Sequence, residues 1–146
     1  MVFILLKEQM RSKAINVVGG LILHKNKILI CQRSEDCDHP LKWEFPGGKT
    51  LVDESTENAL IREIKEELKI NILEFKFLYD YIFEYKSLNK KIHLFFYLIT
   101  KFDNDIINTI HEQLKWIEIQ ELSNYDFLEG DYEIIQKIIN NDITIY

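Results

Sequence analysis

Two long segments that alternate between apolar and polar residues constrain the fold of this chain most strongly. Residues 73–85 and 92–101 each alternate with a period of two, which predicts β-strands. The polar stretch 86–90 between them can form a hairpin turn, so we expect antiparallel pairing. One face of the first strand would carry four aromatic side chains, namely Tyr79, Tyr81, Phe83 and Tyr85. A sheet with so apolar a face has to pack against a second layer.

Two segments have the periodicity of amphipathic helices and can supply that layer. Ser55 is a suitable N-cap for a helix over residues 56–69. The apolar stripe of this helix consists of Leu60, Ile64 and Leu68. A second helix is predicted over residues 131–140. Its buried stripe consists of Ile134, Ile135, Ile138 and Ile139.

Shorter strands complete the predicted order of elements. We expect them at residues 15–18 with 21–23, at 27–31 after the turn His24-Lys25-Asn26, and at 114–119. The polar residues 33–42 form a loop long enough to suspect a function. The order is therefore two β segments, a helix, three β segments and a helix. It predicts an α+β fold, an α/β/α sandwich in which a mixed β-sheet is flanked by helices.

Length and charge limit the domain organisation and the partners. The 146 residues predict one domain, with residues 1–10 as a weakly ordered extension. The net charge of −6 argues against binding of polymeric nucleic acid. The apolar run at the start is too short to span a membrane, and two cysteines are too few for a disulfide scaffold, so we expect a cytoplasmic protein.

Three glutamates of the first predicted helix form the most distinctive cluster of the sequence. Helical geometry places Glu63, Glu66 and Glu67 on one face, away from the apolar stripe. Their mutual repulsion would become attraction around a cation, and all-oxygen ligands favour Mg²⁺ or Mn²⁺. Gly47 lets the backbone approach closely enough to add a carbonyl ligand. The alternative is that the three glutamates form a solvated surface with lysines nearby.

The spacing around these glutamates decides between the two interpretations. The motif G-x5-E-x7-R-E-U-x-E-E-x-G-U, with U a bulky aliphatic residue, is the Nudix box, and residues 48–70 resemble it at every position but one. Residues 43–49, Trp-Glu-Phe-Pro-Gly-Gly-Lys, are similar to the approach to the box in MutT-type members. The departure is Lys69 in place of the box glycine. Lys69 must therefore adopt a left-handed conformation at some cost, or the helix must end differently.

The resemblance implies a metal-dependent hydrolase with water attacking phosphorus. The implied metal ligands are Gly47, Glu63, Glu66 and Glu67, and Mg²⁺ is the expected ion, with Mn²⁺ possible. Glu54 and Arg62 would form an ion pair that orients these ligands. The general base varies within the family, and Glu63 is the candidate here. Glu112 is either a further acid facing the metals or a rim acid beside Lys115.

The nucleotide would be a small-molecule triphosphate, cleaved to a monophosphate and pyrophosphate. Four residues are candidate substrate contacts, namely Arg33, Phe45, Lys49 and Asp131. Each has a structural alternative: a surface cation for Arg33 and Lys49, a core aromatic for Phe45, and an N-cap for Asp131. Phe127 is a second aromatic that is either a base-stacking or a core residue.

Several functional interpretations stay open at this point. The Glu44-Phe45-Pro46 context favours an oxidised purine such as 8-oxo-dGTP, and CTP, dCTP or a 5-substituted dCTP is the alternative. A member of another class would bind a nucleotide only to regulate a partner, although such modules usually lose acids of the box. His24, His39 and His93 show no spacing of a catalytic triad or a metal site. The sequence is compatible with a monomer or a homodimer.

Overall fold

The computed structural model describes residues 14–146 together with Val2. The predicted extension over residues 1–10 lies outside these described residues, apart from Val2. No helix in the described part of the chain is long and apolar enough to cross a membrane.

A mixed β-sheet forms the centre of the structure. Its strands in the described part of the chain are β1 (Ile15–His24), β2 (Lys27–Gln32), β3 (Trp43–Glu44), β4 (Gly47–Lys49), β5 (Asn71–Tyr85), β6 (Lys90–Asp103) and β7 (Gln113–Ile117). The central strand β1 runs parallel to β6 and antiparallel to β2 and β4. The predicted hairpin is confirmed, because β5 and β6 pair antiparallel from Asn71 opposite Asp103 to Tyr85 opposite Lys90.

Two helices cover opposite faces of this sheet. Helix α1 (Thr56–Leu68) buries its predicted stripe in a core that includes Val18, Ile22 and Ile99. Helix α2 (Tyr132–Ile139) packs against the other core, around Phe96 and Phe127. Single turns of 3₁₀ helix occur at Lys86–Leu88 and Glu129–Asp131, and a longer 3₁₀ segment spans Ile119–Asn124. The predicted sandwich of helices on a mixed sheet is therefore confirmed.

The strands differ from the prediction where glycines interrupt the apolar pattern. β1 is one continuous strand through Gly19 and Gly20 rather than two pieces. A side chain at Gly19 would come within 2.8 Å of Phe96, and one at Gly20 within 2.9 Å of Ile99. The pattern breaks because neighbouring side chains fill this space, not because the strand ends. The last strand is also shorter than predicted, since β7 ends at Ile117 and 3₁₀ helix follows.

Both ends of α1 have identifiable caps. The Ser55 hydroxyl accepts a hydrogen bond of 3.1 Å from the backbone N–H of Asn58, as the sequence predicts. At the other end Lys69 adopts the left-handed conformation with φ 60°, and its N–H donates to the carbonyl of Lys65 at 3.0 Å. The chain therefore keeps the αL cap of the motif without its glycine, at a cost in backbone free energy of about 1–2 kcal/mol.

Candidate active site

A cavity of about 260 Å³ opens beside β1 and β4. Six residues singled out in the sequence line it, namely Arg33, Phe45, Gly47, Lys49, Glu67 and Asp131. They come from segments far apart in the chain, which the sheet brings together. The cavity therefore joins one glutamate of the predicted metal cluster to all four candidate substrate contacts.

Arg62 is the hub of the acidic cluster beside this cavity. Its guanidinium donates to both carboxylate oxygens of Glu54, at 2.8 Å each. It also donates to Glu63 at 2.9 Å and to Glu66 at 3.3 Å. A further bond of 3.1 Å reaches the backbone carbonyl of Lys49. The predicted Glu54–Arg62 pair is therefore present and ties the loop before α1 to the helix.

This pair gives Glu54 an unusual acidity. Hydrogen bonds from Arg62, and then from the backbone N–H of Leu51, lower the pKa of Glu54 to about 2. A carboxylate with a depressed pKa adds stability above its unfolded pKa near 4.5 and loses it as the pH falls through about 2.

We expect the Glu54→Gln variant to be less stable than the wild-type chain at neutral pH and equally stable near pH 2. The physical reason is that the contribution of the charged Glu54 disappears once this carboxylate is protonated. Urea unfolding of both chains between pH 7 and pH 2 measures the difference. A difference that stays constant across this range would contradict the assignment.

The three glutamates of the cluster differ in burial, and here the prediction of one shared projecting face is too simple. Glu66 is 59% exposed, Glu63 is half-buried, and Glu67 is 8% exposed among the core-facing residues of α1. Glu67 turns toward the cavity, where it accepts a hydrogen bond of 3.2 Å from the backbone N–H of Gly47. Burial therefore changes around the helix, from Glu66 on the solvent side to Glu67 on the side of the cavity.

The carboxylate of Glu67 is buried and lies near the negative charges of other acidic residues. Desolvation, followed by the charges of Glu44 and Glu63, raises the pKa of Glu67 to about 9. Burial also raises the pKa of Glu63, against the opposing effect of Arg62. A divalent cation would supply the missing charge at this cluster.

The donor set fits a hard cation in an open site rather than a closed cage. Within residues 14–146, no three His, Cys, Asp or Glu side chains converge closely enough to enclose an ion. Glu63 and Glu66 hydrogen-bond to Arg62, and Glu67 hydrogen-bonds to Gly47. Mg²⁺ commonly keeps several waters and takes only one or two carboxylates plus substrate phosphates. The oxygen atoms that this cluster offers match that preference.

The two glycines before the loop are required by close backbone approach. Gly47 has φ 155°, and a Cβ there would lie 1.9 Å from the carbonyl oxygen of Val18. A Cβ on Gly48 would lie 2.5–2.7 Å from the carboxylate of Glu63. Glycine therefore lets β4 pair with β1 and lets the glutamates of α1 lie directly against the strand.

Asp131 lines the same cavity and is buried. Desolvation, and then the charge of Glu44, raises its pKa well above the usual range, while the backbone N–H of Phe45 and the charge of Arg33 oppose the shift. The prediction that Asp131 caps the second helix is wrong in one respect. Its side chain makes no capping hydrogen bond, because the preceding 3₁₀ turn leaves it in a helical conformation with φ −91° and ψ −7°.

The remaining predicted contacts separate into cavity and non-cavity residues. Phe45 lines the cavity and is also a core residue, 5% exposed. Phe127 is 1% exposed, is absent from the cavity lining and packs against Phe45 with ring centroids 5.3 Å apart, so Phe127 is a core residue only. Lys49 is an exposed residue on the rim. Glu112 is exposed, is absent from the cavity lining, and donates its backbone N–H to Gln32.

Glu44 is a central residue of the cavity that the sequence analysis did not select. Arg33 donates to both of its carboxylate oxygens, at 3.1 and 3.2 Å, and His111 Nε2 lies 3.8 Å away. The charge of Glu44 raises the pKa of both Glu67 and Asp131. Strand alternation could have found it, because Glu44 stands between the buried residues Trp43 and Phe45.

Comparisons with known proteins agree with this architecture. The family model for the NUDIX domain matches residues 13–138. An 8-oxo-dGTP diphosphatase of Buchnera aphidicola subsp. Schizaphis graminum is 35% identical over 126 residues, covering 86% of this chain and 94% of that protein. A CTP pyrophosphohydrolase of Escherichia coli is 32% identical over 124 residues, covering 85% and 90%.

A solved structure shows the same fold. The solution structure of the Escherichia coli ORF135 protein superimposes with a TM-score of 0.78 at 30% identity, and the match covers 89% of this chain and 91% of that one. The box residues, the glutamate-lined cavity and these matches support one assignment: the chain belongs to the NUDIX family of hydrolases.

Proposed function

We propose that this chain is a Mg²⁺-dependent nucleoside triphosphate pyrophosphohydrolase, for which Mn²⁺ can substitute. Water attacks phosphorus, the bond to the pyrophosphate leaving group breaks, and a nucleoside monophosphate is released. One observation carries the proposal: Glu67, at the end of the Arg62-centred acidic cluster, lines the same cavity as Arg33 and Asp131. The residues proposed to bind the metal are therefore adjacent to those proposed to bind the nucleotide.

Glu63, Glu66, Glu67 and the carbonyl of Gly47 are the candidate metal ligands, of which a bound ion would take one or two carboxylates and complete its shell with water and substrate phosphate. The bound ion would neutralise phosphate oxygens and lower the pKa of the attacking water. Glu63 is the candidate acceptor of that water's proton. Arg62 and Glu54 position the glutamates through their paired hydrogen bonds. Lys49 on the rim of the cavity would interact electrostatically with a phosphate of the nucleotide.

The base would occupy the inner end of the cavity, between Phe45 and Asp131. The raised pKa of Asp131 favours its protonated form, which donates a hydrogen bond to a carbonyl and accepts one from an amine. Guanine, 8-oxoguanine and cytosine all present both groups, so Asp131 does not choose among them. The activity in the name of the Buchnera relative supports 8-oxo-dGTP as the first candidate, and that of the Escherichia coli CTP pyrophosphohydrolase supports CTP or dCTP as the second.

We expect 8-oxo-dGTP to be hydrolysed with a higher kcat/KM than dGTP, CTP, dCTP or 5-methyl-dCTP. We also expect Asp131→Ala to lower kcat/KM for the preferred base about 10–200-fold, because a single good base contact contributes about 1–3 kcal/mol. Initial rates across this panel with Mg²⁺ measure both effects. Equal rates for 8-oxo-dGTP and dGTP would exclude the oxidised-purine assignment, and a preference for CTP would favour the second candidate.

A regulatory module that only binds nucleotide is the alternative from another class. All four acids of the box are retained here, namely Glu54, Glu63, Glu66 and Glu67. An active enzyme is therefore the preferred hypothesis. We further propose a cytoplasmic location, a small nucleotide rather than a nucleic acid as the partner, one domain over residues 1–146, and a monomer or homodimer.

A further inference from the structure

The last turn of α1 carries two of the proposed metal ligands, Glu66 and Glu67, and it is the least stable part of a helix. The final carbonyls of a helix lack partners within it, and negative side chains near this end are unfavourable to its dipole. Lys69 adds the cost of a left-handed cap without glycine. Residues outside the helix must therefore hold this turn in place.

Residues 107–111, the strap, contact the last turn of α1. The backbone N–H of Ile107 donates to the carbonyl of Leu68 at 2.9 Å, and that of Thr109 donates to the carbonyl of Glu67 at 3.2 Å. The Thr109 hydroxyl lies 2.8 Å from the Glu67 carbonyl and 3.1 Å from the Glu66 carbonyl. The strap thus serves the carbonyls of three consecutive residues at the end of the helix.

The other end of the strap reaches the nucleotide cavity. Asn108 closes the turn through two hydrogen bonds with the backbone of His111, at 2.7 and 2.9 Å. This turn places Ile110 in the cavity lining and the buried imidazole of His111 3.8 Å from the carboxylate of Glu44. The strap therefore joins the metal-binding turn to the cavity wall.

We propose that Thr109 is a positioning residue for the metal site, which holds Glu66 and Glu67 through their backbone carbonyls. The inference rests on the proposed function, because it assumes that these glutamates bind a cation. Thr109 touches neither carboxylate, so its effect passes through the conformation of the helix end. Removing this hydroxyl, whose single hydrogen is shared between two carbonyls, should cost about the net free energy of one hydrogen bond.

The test measures the Kd for Mn²⁺ in the absence of nucleotide. Electron paramagnetic resonance gives the concentration of free Mn²⁺ at each point of the titration. Thr109→Val keeps the shape and removes the hydroxyl, and we expect its Kd for Mn²⁺ to rise about three- to tenfold. Thr109→Ser restores the hydroxyl and should bind within about twofold of the wild-type chain. Thr56→Val is the matched control, because it removes a hydroxyl at the other end of the same helix, bonded to Tyr97 at 2.6 Å.

Each outcome bears on a different claim. Weaker binding by Thr109→Val, with Thr109→Ser and Thr56→Val unchanged, supports the inference. A Thr109→Val affinity equal to that of the wild-type chain overturns it, and so does a Thr109→Ser affinity as weak as that of Thr109→Val. If the wild-type chain itself binds no Mn²⁺, the inference is overturned, whereas the proposed function is tested separately by hydrolysis with nucleotide and metal.

Discussion

We expect Glu66→Gln to lower turnover by about three orders of magnitude while the fold is kept. The substitution replaces the carboxylate of a proposed metal ligand with a neutral amide of the same shape. A bound metal contributes several kcal/mol of transition-state stabilisation, and each 1.36 kcal/mol is worth tenfold in rate. Glu66 is 59% exposed, and its contact within the cluster is the 3.3 Å bond from Arg62. The measurements are kcat with Mg²⁺ and the thermal unfolding temperature without metal.

Glu57→Gln is the matched control for this prediction. It makes the same change on an exposed glutamate in the first turn of α1 that is not one of the hydrogen-bond partners of Arg62. We expect its kcat to stay within about twofold of the wild-type value. Its free energy of unfolding should fall by at most about 0.3–1 kcal/mol, because a negative charge near the N-terminus of the helix is lost. Unchanged turnover in Glu66→Gln would show that the assigned metal site is wrong.

The second large effect concerns stability. Gly47→Ala should lower the free energy of unfolding by roughly 3–5 kcal/mol, near the upper end for a single substitution. The added Cβ would lie 1.9 Å from the backbone carbonyl oxygen of Val18, and the φ of 155° is itself strained for a residue with a side chain. The pairing of β4 with β1 has to open, and the backbone that supports the glutamate cluster moves with it.

Gly130→Ala provides the comparison for this effect. The nearest atom to a Cβ there is the Tyr85 hydroxyl at 3.2 Å, on a side chain that can adjust. We expect a loss below about 1 kcal/mol. Urea unfolding of the two variants and the wild-type chain gives the values. Similar losses in both variants would show that close backbone approach at Gly47 is not the constraint.

Local patterns predict much of this fold because each concerns residues close together in sequence. The alternation in residues 73–85 and 92–101 identifies β5 and β6, and Ser55 marks the start of α1. Short strands escape such patterns, since β3 and β4 have two and three residues. The continuity of β1 through Gly19 and Gly20 depends on side chains from β6 and α1 that fill the space beside them.

The candidate site likewise has a part that local sequence patterns predict and a part that they do not. The spacing from Gly48 to Glu67 lies within one loop and one helix, so the Glu54–Arg62 pair could be predicted. The contacts of Thr109 could not, because its partners Glu66 and Glu67 lie 43 and 42 positions earlier in the chain. Helical spacing likewise places Glu67 beside Glu63 and Glu66 but does not reveal that it points into the interior.

Product analysis tests the central claim most directly. The purified chain is incubated with a nucleoside triphosphate, with and without Mg²⁺, and the phosphorus-containing products are separated and quantified. The proposed reaction predicts equal amounts of nucleoside monophosphate and pyrophosphate, formed only when the metal is present. Orthophosphate with nucleoside diphosphate, or equal hydrolysis without a divalent metal, would contradict it.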